Sequence, residues 1–197
     1  METAALSLEN VSILIPVIRP QNLTRLFRSL VKYGYDEVEI CSLVDEDRIG
    51  CPKMIKKLAE MASNDIVVFL GDDTVMQENC LEEALKVMQT FEGGWGLVGL
   101  NDMQTPNPTH WMAHKKLLPE IGGEFFHTGY THCFCDDELR FRSERIGRYK
   151  WCEDAKIKHY HPLFGTSKWD DDYKRVYTRE VFKKDEKLFY KRNKLAK

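Results

Sequence analysis

Two adjacent carboxylates end an apolar run. The stretch Asp65-Ile66-Val67-Val68-Phe69-Leu70-Gly71-Asp72-Asp73-Thr74 carries large and β-branched residues, stops at Gly71, and then places Asp72 and Asp73 side by side. An apolar run of this length predicts a strand covered on both faces. Gly71 permits a turn or a close approach. Acids just past the carboxyl end of such a strand lie on the edge where open α/β sheets bind ligands. Neighbouring carboxylates repel, so the pair is tolerable if exposed, or if a cation sits between it and an anionic ligand. A solvated turn with an Asp helix cap is the plain alternative. Two more groups carry reactive residue types. Asp136 and Asp137 fall in the first turn of an expected helix, where the positive end of the dipole suits them. His159 and His161 alternate at the end of an expected strand and share a face with Ala155 and Ile157.

The elements that must position these groups follow from hydrophobic periodicity. Strands are expected over 11–17, 37–44 and the run before Gly71. Helices are expected between them: 23–31 with Asn22 as N-cap and Gly34 as stop, a second opened by Pro52 with Ile55, Leu58, Ala59 and Ala62 buried, and a third over 78–91. Strand and helix thus alternate over the first ninety residues. That order implies an α/β protein with a parallel sheet, right-handed crossovers and all three post-strand loops on one edge. This is a nucleotide-binding half-fold without GxGxxG or GxxxxGK[S/T]. Phosphates must be handled another way, and a metal held by Asp73 is the obvious route. After Gly93-Gly94 the expectation is a strand over 95–100, turns over 101–108 and a short helical segment within 110–121. Then come a loop or edge strand over 125–134, a helix over 136–146, a strand over 155–162 and a last helix over 173–192.

Composition bounds the function. The chain has 197 residues, 43% hydrophobic and 30% charged, which suits one domain with a sizeable core. A net charge of -2 gives no global case for nucleic acid. Residues 174–197 nevertheless hold ten Lys/Arg against three Asp/Glu, which suits a phosphate-rich ligand or an anionic membrane surface, or else a solvated helix face. There is no signal-peptide design and no apolar run of membrane-spanning length, so a cytoplasmic protein is expected. Six cysteines without a CxxC pair read as reduced thiols. Cys133 and Cys135, with His127 and His132, match no common zinc spacing.

Four motifs, in order, resemble the GT-A fold glycosyltransferases of the family-2 type, which are mostly inverting and use nucleotide-diphosphate sugars. They are Val11-Ser12-Ile13-Leu14-Ile15-Pro16, the strand ending in Leu43-Val44-Asp45, Val67-Val68-Phe69-Leu70-Gly71-Asp72-Asp73, and Cys135-Asp136-Asp137-Glu138-Leu139-Arg140-Phe141-Arg142 followed by Gly147, Asp154-Ala155 and His159-Tyr160-His161-Pro162. The third resembles the family's Asp-x-Asp motif with its first acid replaced by Gly71. The resemblance covers almost the whole chain. It implies a single GT-A domain over 1–197, with a mostly parallel sheet flanked by helices. About 1–100 would be a Rossmann-like nucleotide-sugar-binding half, and about 101–197 an acceptor and catalytic half with a basic C-terminal helix.

The roles that the resemblance implies are specific. Pro16 and the loop to Arg19 would line the base-and-ribose pocket, and Asp45 would accept hydrogen bonds from the nucleobase. Asp72 and Asp73 would face the donor, and Asp73 would hold Mn²⁺ or Mg²⁺ on its diphosphate. His159 or His161 would complete the metal site, and mixed Asp/His ligation fits Mn²⁺ better than Mg²⁺. Asp136 would be the general base, with Asp137 as its rival. Trp111, Phe125, Phe126, Tyr130 and His132 fall where the family builds its acceptor pocket. The donor would be a UDP-, GDP- or dTDP-sugar and the acceptor a glycan, glycoprotein or lipid-linked hydroxyl. A metal-dependent nucleotidyltransferase or phosphohydrolase, or a non-catalytic nucleotide-sugar-binding module, would share several of these features.

Overall fold

The structure, a computed structural model, describes residues 6–195; the acidic first residues and Lys197 of the basic stretch lie outside them. In chain order the main elements are β1 (Val11–Val17), α1 (Leu23–Lys32), β2 (Glu39–Val44), α2 (Cys51–Met61), β3 (Ile66–Phe69), β4 (Thr74–Met76) and α3 (Cys80–Gln89). They continue with β5 (Leu97–Asn101), β6 (Trp111–His114), α4 (Leu118–Ile121), α5 (Cys135–Arg145), β7 (Tyr149–His159), α6 (Asp171–Val176) and α7 (Arg179–Asn193). The seven strands form one sheet in the order β2-β1-β3-β6-β5-β7-β4. Five run one way; β6 and β4 oppose them. The sheet is mostly parallel and flanked by helices, as an α/β alternation requires.

The central strands are apolar throughout because both of their faces are covered. Ile13, Ile15, Val17 and Val68 join one core with Leu26 and Leu30 of α1 and Leu81, Leu85 and Met88 of α3. Leu14, Val67 and Phe69 point to the other face, against Ile55 and Leu58 of α2 and Leu139 of α5. The alternation follows from the two-residue period of a strand. Each fully buried Val, Leu or Ile contributes roughly 1.5–3 kcal/mol, so this double layer dominates the energetics.

Four expectations need correction. Strand β6 falls where a short helical segment is expected, and β4 where no element is; each is only three or four residues long, too short for a periodic signal. β7 starts at Tyr149 and ends at His159, short of His161. A 3-10 turn over Pro162–Phe164, with the His161 side chain accepting from Leu163 N, replaces the strand there. The last helix is two: Thr178 breaks it and caps α7 by accepting from Val181 N at 3.1 Å. Asn22 is already helical and makes no cap, because Pro20 opens a 3-10 turn before α1. Among the described residues no helix is long and apolar enough to cross a membrane.

Candidate active site

The carboxyl ends of β1 and β3 open into a cavity of about 340 Å³. Pro16, Arg19, Asp45, Asp72, Asp73, His132, Asp136, His159 and His161 all line it. The strands missed in the sequence bring several of these together. β4 pairs antiparallel with β7 so that Thr74 faces His159, and Tyr160 N donates to Asp73 O at 2.9 Å. β6 pairs antiparallel with β3 so that Trp111 faces Phe69, which carries His110 to the level of Gly71.

Asp73, His110 and His159 can offer three ligand atoms that lie within 4.8 Å of one another, and all three residues are buried. The His159 Nε2 is 3.6 Å from Asp73 Oδ2, and its Nδ1 is 3.2 Å from Oδ2 of Asp102, which is fully buried. Tyr173 O–H donates to Asp73 Oδ2 at 2.6 Å. Burial opposes charge on Asp73, but His159 and Tyr173 outweigh it and hold the carboxyl well below its usual range. Burial likewise opposes charge on His159, yet Asp102 and Asp73 lift its pKa to about 9. Burial and the charge on His159 push His110 down to about 3. One carboxylate and two imidazoles, with a carboxylate behind one of them, are a donor set that fits a divalent cation. His161 stands outside this group: its Nδ1 accepts from Leu163 N at 3.2 Å, and its ring packs on Tyr173 and Tyr177.

Across the cavity, Asp136 sits in the first turn of α5. Asn107 Nδ2 donates to Asp136 at 3.0 Å and to Asp137 at 3.3 Å. Burial and the neighbouring charge of Asp137 raise Asp136 to about 7. Asp137 does not line the cavity. The loop before α5 is pinned by Asp185 of α7, whose buried carboxylate accepts from the backbone N–H groups of Thr131, His132 and Cys133 at 2.9–3.1 Å.

The remaining expected site residues have other first tasks. The Asp72 carboxylate accepts from Ile18 N at 2.7 Å and Arg19 N at 2.6 Å, tying the loop after β1 to the tip of β3; burial, then Asp73, raises it to about 6. Asp45 accepts from Ile49 N and Gly50 N, both at 2.8 Å, and so closes its own turn. Arg19 forks onto Asp170 at 2.6 and 3.0 Å and lies 3.6 Å over the Tyr173 ring. Pro16 and His132 border the cavity, the His132 ring edge-on to Tyr177 at 4.8 Å. Trp111 and Tyr130, expected in an acceptor pocket, do not line the cavity. Trp111 is fully buried between Phe69, Phe125 and Phe126, and Tyr130 is buried in the same core. Phe125 lies in that core too, while Phe126 reaches the cavity wall. Sequence reasoning missed His110, Asp102, Tyr173 and Asn107. A histidine before a run of only three apolar residues, and an Asp in a turn-rich stretch, carry no periodic mark; only strand pairing shows where they point.

No protein-family model matches the chain, and no curated protein matches it by sequence. Solved structures do match by shape. A mannosyltransferase from Pyrobaculum calidifontis, PcManGT, in complex with GDP-Man and Mn²⁺, superposes with TM-score 0.63 at 14% identity, over 80% of this chain and 58% of that one. TarS from S. aureus in complex with UDP-GlcNAc gives TM-score 0.64 at 11% identity, over 91% and 65%. A Drosophila β1,4-galactosyltransferase 7 variant with manganese, UDP-Gal and xylobiose gives 0.55 at 13%, over 86% and 80%. The chain spans less than two thirds of the mannosyltransferase and TarS chains. At these identities the likeness concerns architecture, and in architecture this chain has the GT-A glycosyltransferase fold.

Proposed function

We propose that the chain is a single-domain, metal-dependent inverting glycosyltransferase that moves a sugar from a nucleotide-diphosphate sugar to an acceptor hydroxyl. One observation carries the reading: Asp73, in a cluster fit for a cation, and Asp136, a carboxyl with a raised pKa, line the same cavity. The UDP- and GDP-sugars bound by the structural neighbours support a donor of that class, and the loops at Pro16, Arg19 and Asp45 are where its nucleoside would lie. Asp73, His110 and His159 would hold a divalent cation, which would supply charge neutralisation for the leaving diphosphate.

The protein's own groups do the rest. Asp136 takes the proton of the acceptor hydroxyl as that oxygen attacks the anomeric carbon opposite the diphosphate. The bond from that carbon to the diphosphate oxygen breaks, and its electron pair leaves with the nucleoside diphosphate. Asn107 orients Asp136, and Tyr173 orients Asp73. The acceptor is a glycan, glycoprotein or lipid-linked sugar entering on the His132, Phe126 and Tyr177 side. Six free cysteines suit a reducing, cytoplasmic setting.

The test is a transfer assay on a panel of nucleotide sugars with Mn²⁺, run on the native chain and Asp136→Asn. The variant should lose about 10²–10⁴-fold in rate while binding nucleotide and Mn²⁺ unchanged. Release of pyrophosphate in place of intact nucleoside diphosphate, or an unchanged variant rate, would overturn the reading.

A further inference from the structure

Gly71 stands where the Asp-x-Asp resemblance places the first acid. Its φ lies outside the left-handed region, so the backbone does not demand glycine there. Space does. A Cβ on residue 71 would lie 2.5 Å from Asp73 Oδ1 and 3.2 Å from His110 Nε2. The room beside the Asp73 carboxylate is taken by the imidazole of the residue just before β6. That ring is fixed on two sides: it stacks on Phe69, with centroids 5.4 Å apart and planes at 19°, and meets His159 edge-on at 4.7 Å.

Proton counting decides which nitrogen of each ring faces the cluster. Asp102 Oδ2 receives the Thr109 hydroxyl at 2.9 Å. A carboxylate only accepts, and a hydroxyl has one proton to give. Thr109 therefore has only lone pairs left for His110 Nδ1, 3.1 Å away. His110 Nδ1 must carry the ring proton, which leaves Nε2 as a bare lone pair beside Asp73. The same Asp102 oxygen lies 3.2 Å from His159 Nδ1 and accepts its N–H directly, so His159 Nε2 also faces inward. The other Asp102 oxygen is held by Gln104 N and Thr105 N, both at 2.9 Å. One buried carboxylate sets both imidazoles, one directly and one through a threonine.

We propose that His110, in the space left beside Gly71, is a cation ligand together with Asp73 and His159, and that Asp102, relayed by Thr109, is the positioning residue for both histidines. Two imidazoles and one carboxylate select Mn²⁺ over Mg²⁺, with Co²⁺ and Zn²⁺ binding tighter than Mn²⁺. This rests on the transferase reading only for what the ion is used for, because ion binding is measured without donor or acceptor.

The probe is Mn²⁺ itself, followed by electron paramagnetic resonance on the full chain, with Mg²⁺ and Co²⁺ as competitors. The wild type should show nitrogen couplings from two imidazoles, resist a hundredfold excess of Mg²⁺ and yield to Co²⁺. His110→Ala should leave one imidazole coupling and bind Mn²⁺ at least tenfold more weakly. Asp102→Asn should cost about 10–100-fold. Thr109→Val keeps the shape of the core and removes the relay, so it serves if a histidine variant fails to fold; it should cost several-fold and weaken one imidazole coupling. A His110→Ala protein that binds Mn²⁺ like the wild type, or a Thr109→Val protein with both couplings and full affinity, would overturn the proposal and leave sugar transfer standing. A wild type that binds no Mn²⁺ would overturn it together with the metal dependence of that transfer.

Discussion

Asp73 and Asp136 are the same residue type in the same cavity, and their surroundings push them in opposite directions. Asp73 is partnered by His159 and by the Tyr173 hydroxyl, which keep it ionised in spite of burial. Asp136 is partnered only by neutral N–H donors and sits beside a second carboxyl, and burial, then the charge of Asp137, raises it to about 7. A group held ionised suits a cation; a group poised near neutrality suits proton transfer. Two carboxyls whose pKa values are driven apart are the mark of divided roles.

The contrast breaks most visibly at the cation end. Asp73→Asn should weaken Mn²⁺ binding by at least about 100-fold, since losses behind a ligand already reach that size, and transfer should fall below detection; titration of Mn²⁺ checks it. The acid end is sharpened by pH. Transfer needs Asp136 unprotonated, so the rate should rise with pH, by about tenfold per unit below the midpoint near 7, and level off above it. The stability signs also oppose. Asp136 has a folded pKa above its unfolded value of about 3.9, so its contribution to stability is lost as pH rises from about 4 through 7. Asp73 has a lowered folded pKa, so its contribution is lost as pH falls through the acid range. Denaturant titrations of Asp136→Asn and Asp73→Asn across pH would separate the two slopes. The aromatic wall should belong to neither end. Trp111→Phe should cost about 1–3 kcal/mol of stability and leave the acceptor KM within about twofold, because the ring is fully buried. The smallest effect is expected of Asn107→Ala. It removes a donor to the ionised carboxylate, so the rate midpoint should move upward, by less than one pH unit.

The sequence showed the two halves unequally. Strands β1, β2 and β3 and helices α1, α2 and α3 were legible because each buries a run or stripe long enough to show its period. Asp73 and Asp136 were legible as acids at the end of a strand and the start of a helix. The cation cluster was not. It is assembled by β4 and β6, whose pairings with β7 and β3 bring residues 73, 159 and 110 together across long gaps in the chain. No local pattern encodes such a meeting. His161 looked equivalent to His159 by alternation; the strand ends at His159, and the turn at Pro162 leaves His161 outside the group that Asp73, His110 and His159 form. Trp111 and Tyr130 looked like sugar platforms because aromatic residues suit cores and sugars alike.

The clasp of Asp185 on residues 131–133 ties the Asp136 side of the cavity to α7. Every member of the cation cluster lies on residues before α7, whereas three backbone N–H groups just ahead of Asp136 have their carboxylate from α7. The two ends of the cavity therefore answer to different parts of the chain: loosening α7 would free the Asp136 side and leave the contacts within the cation cluster in place.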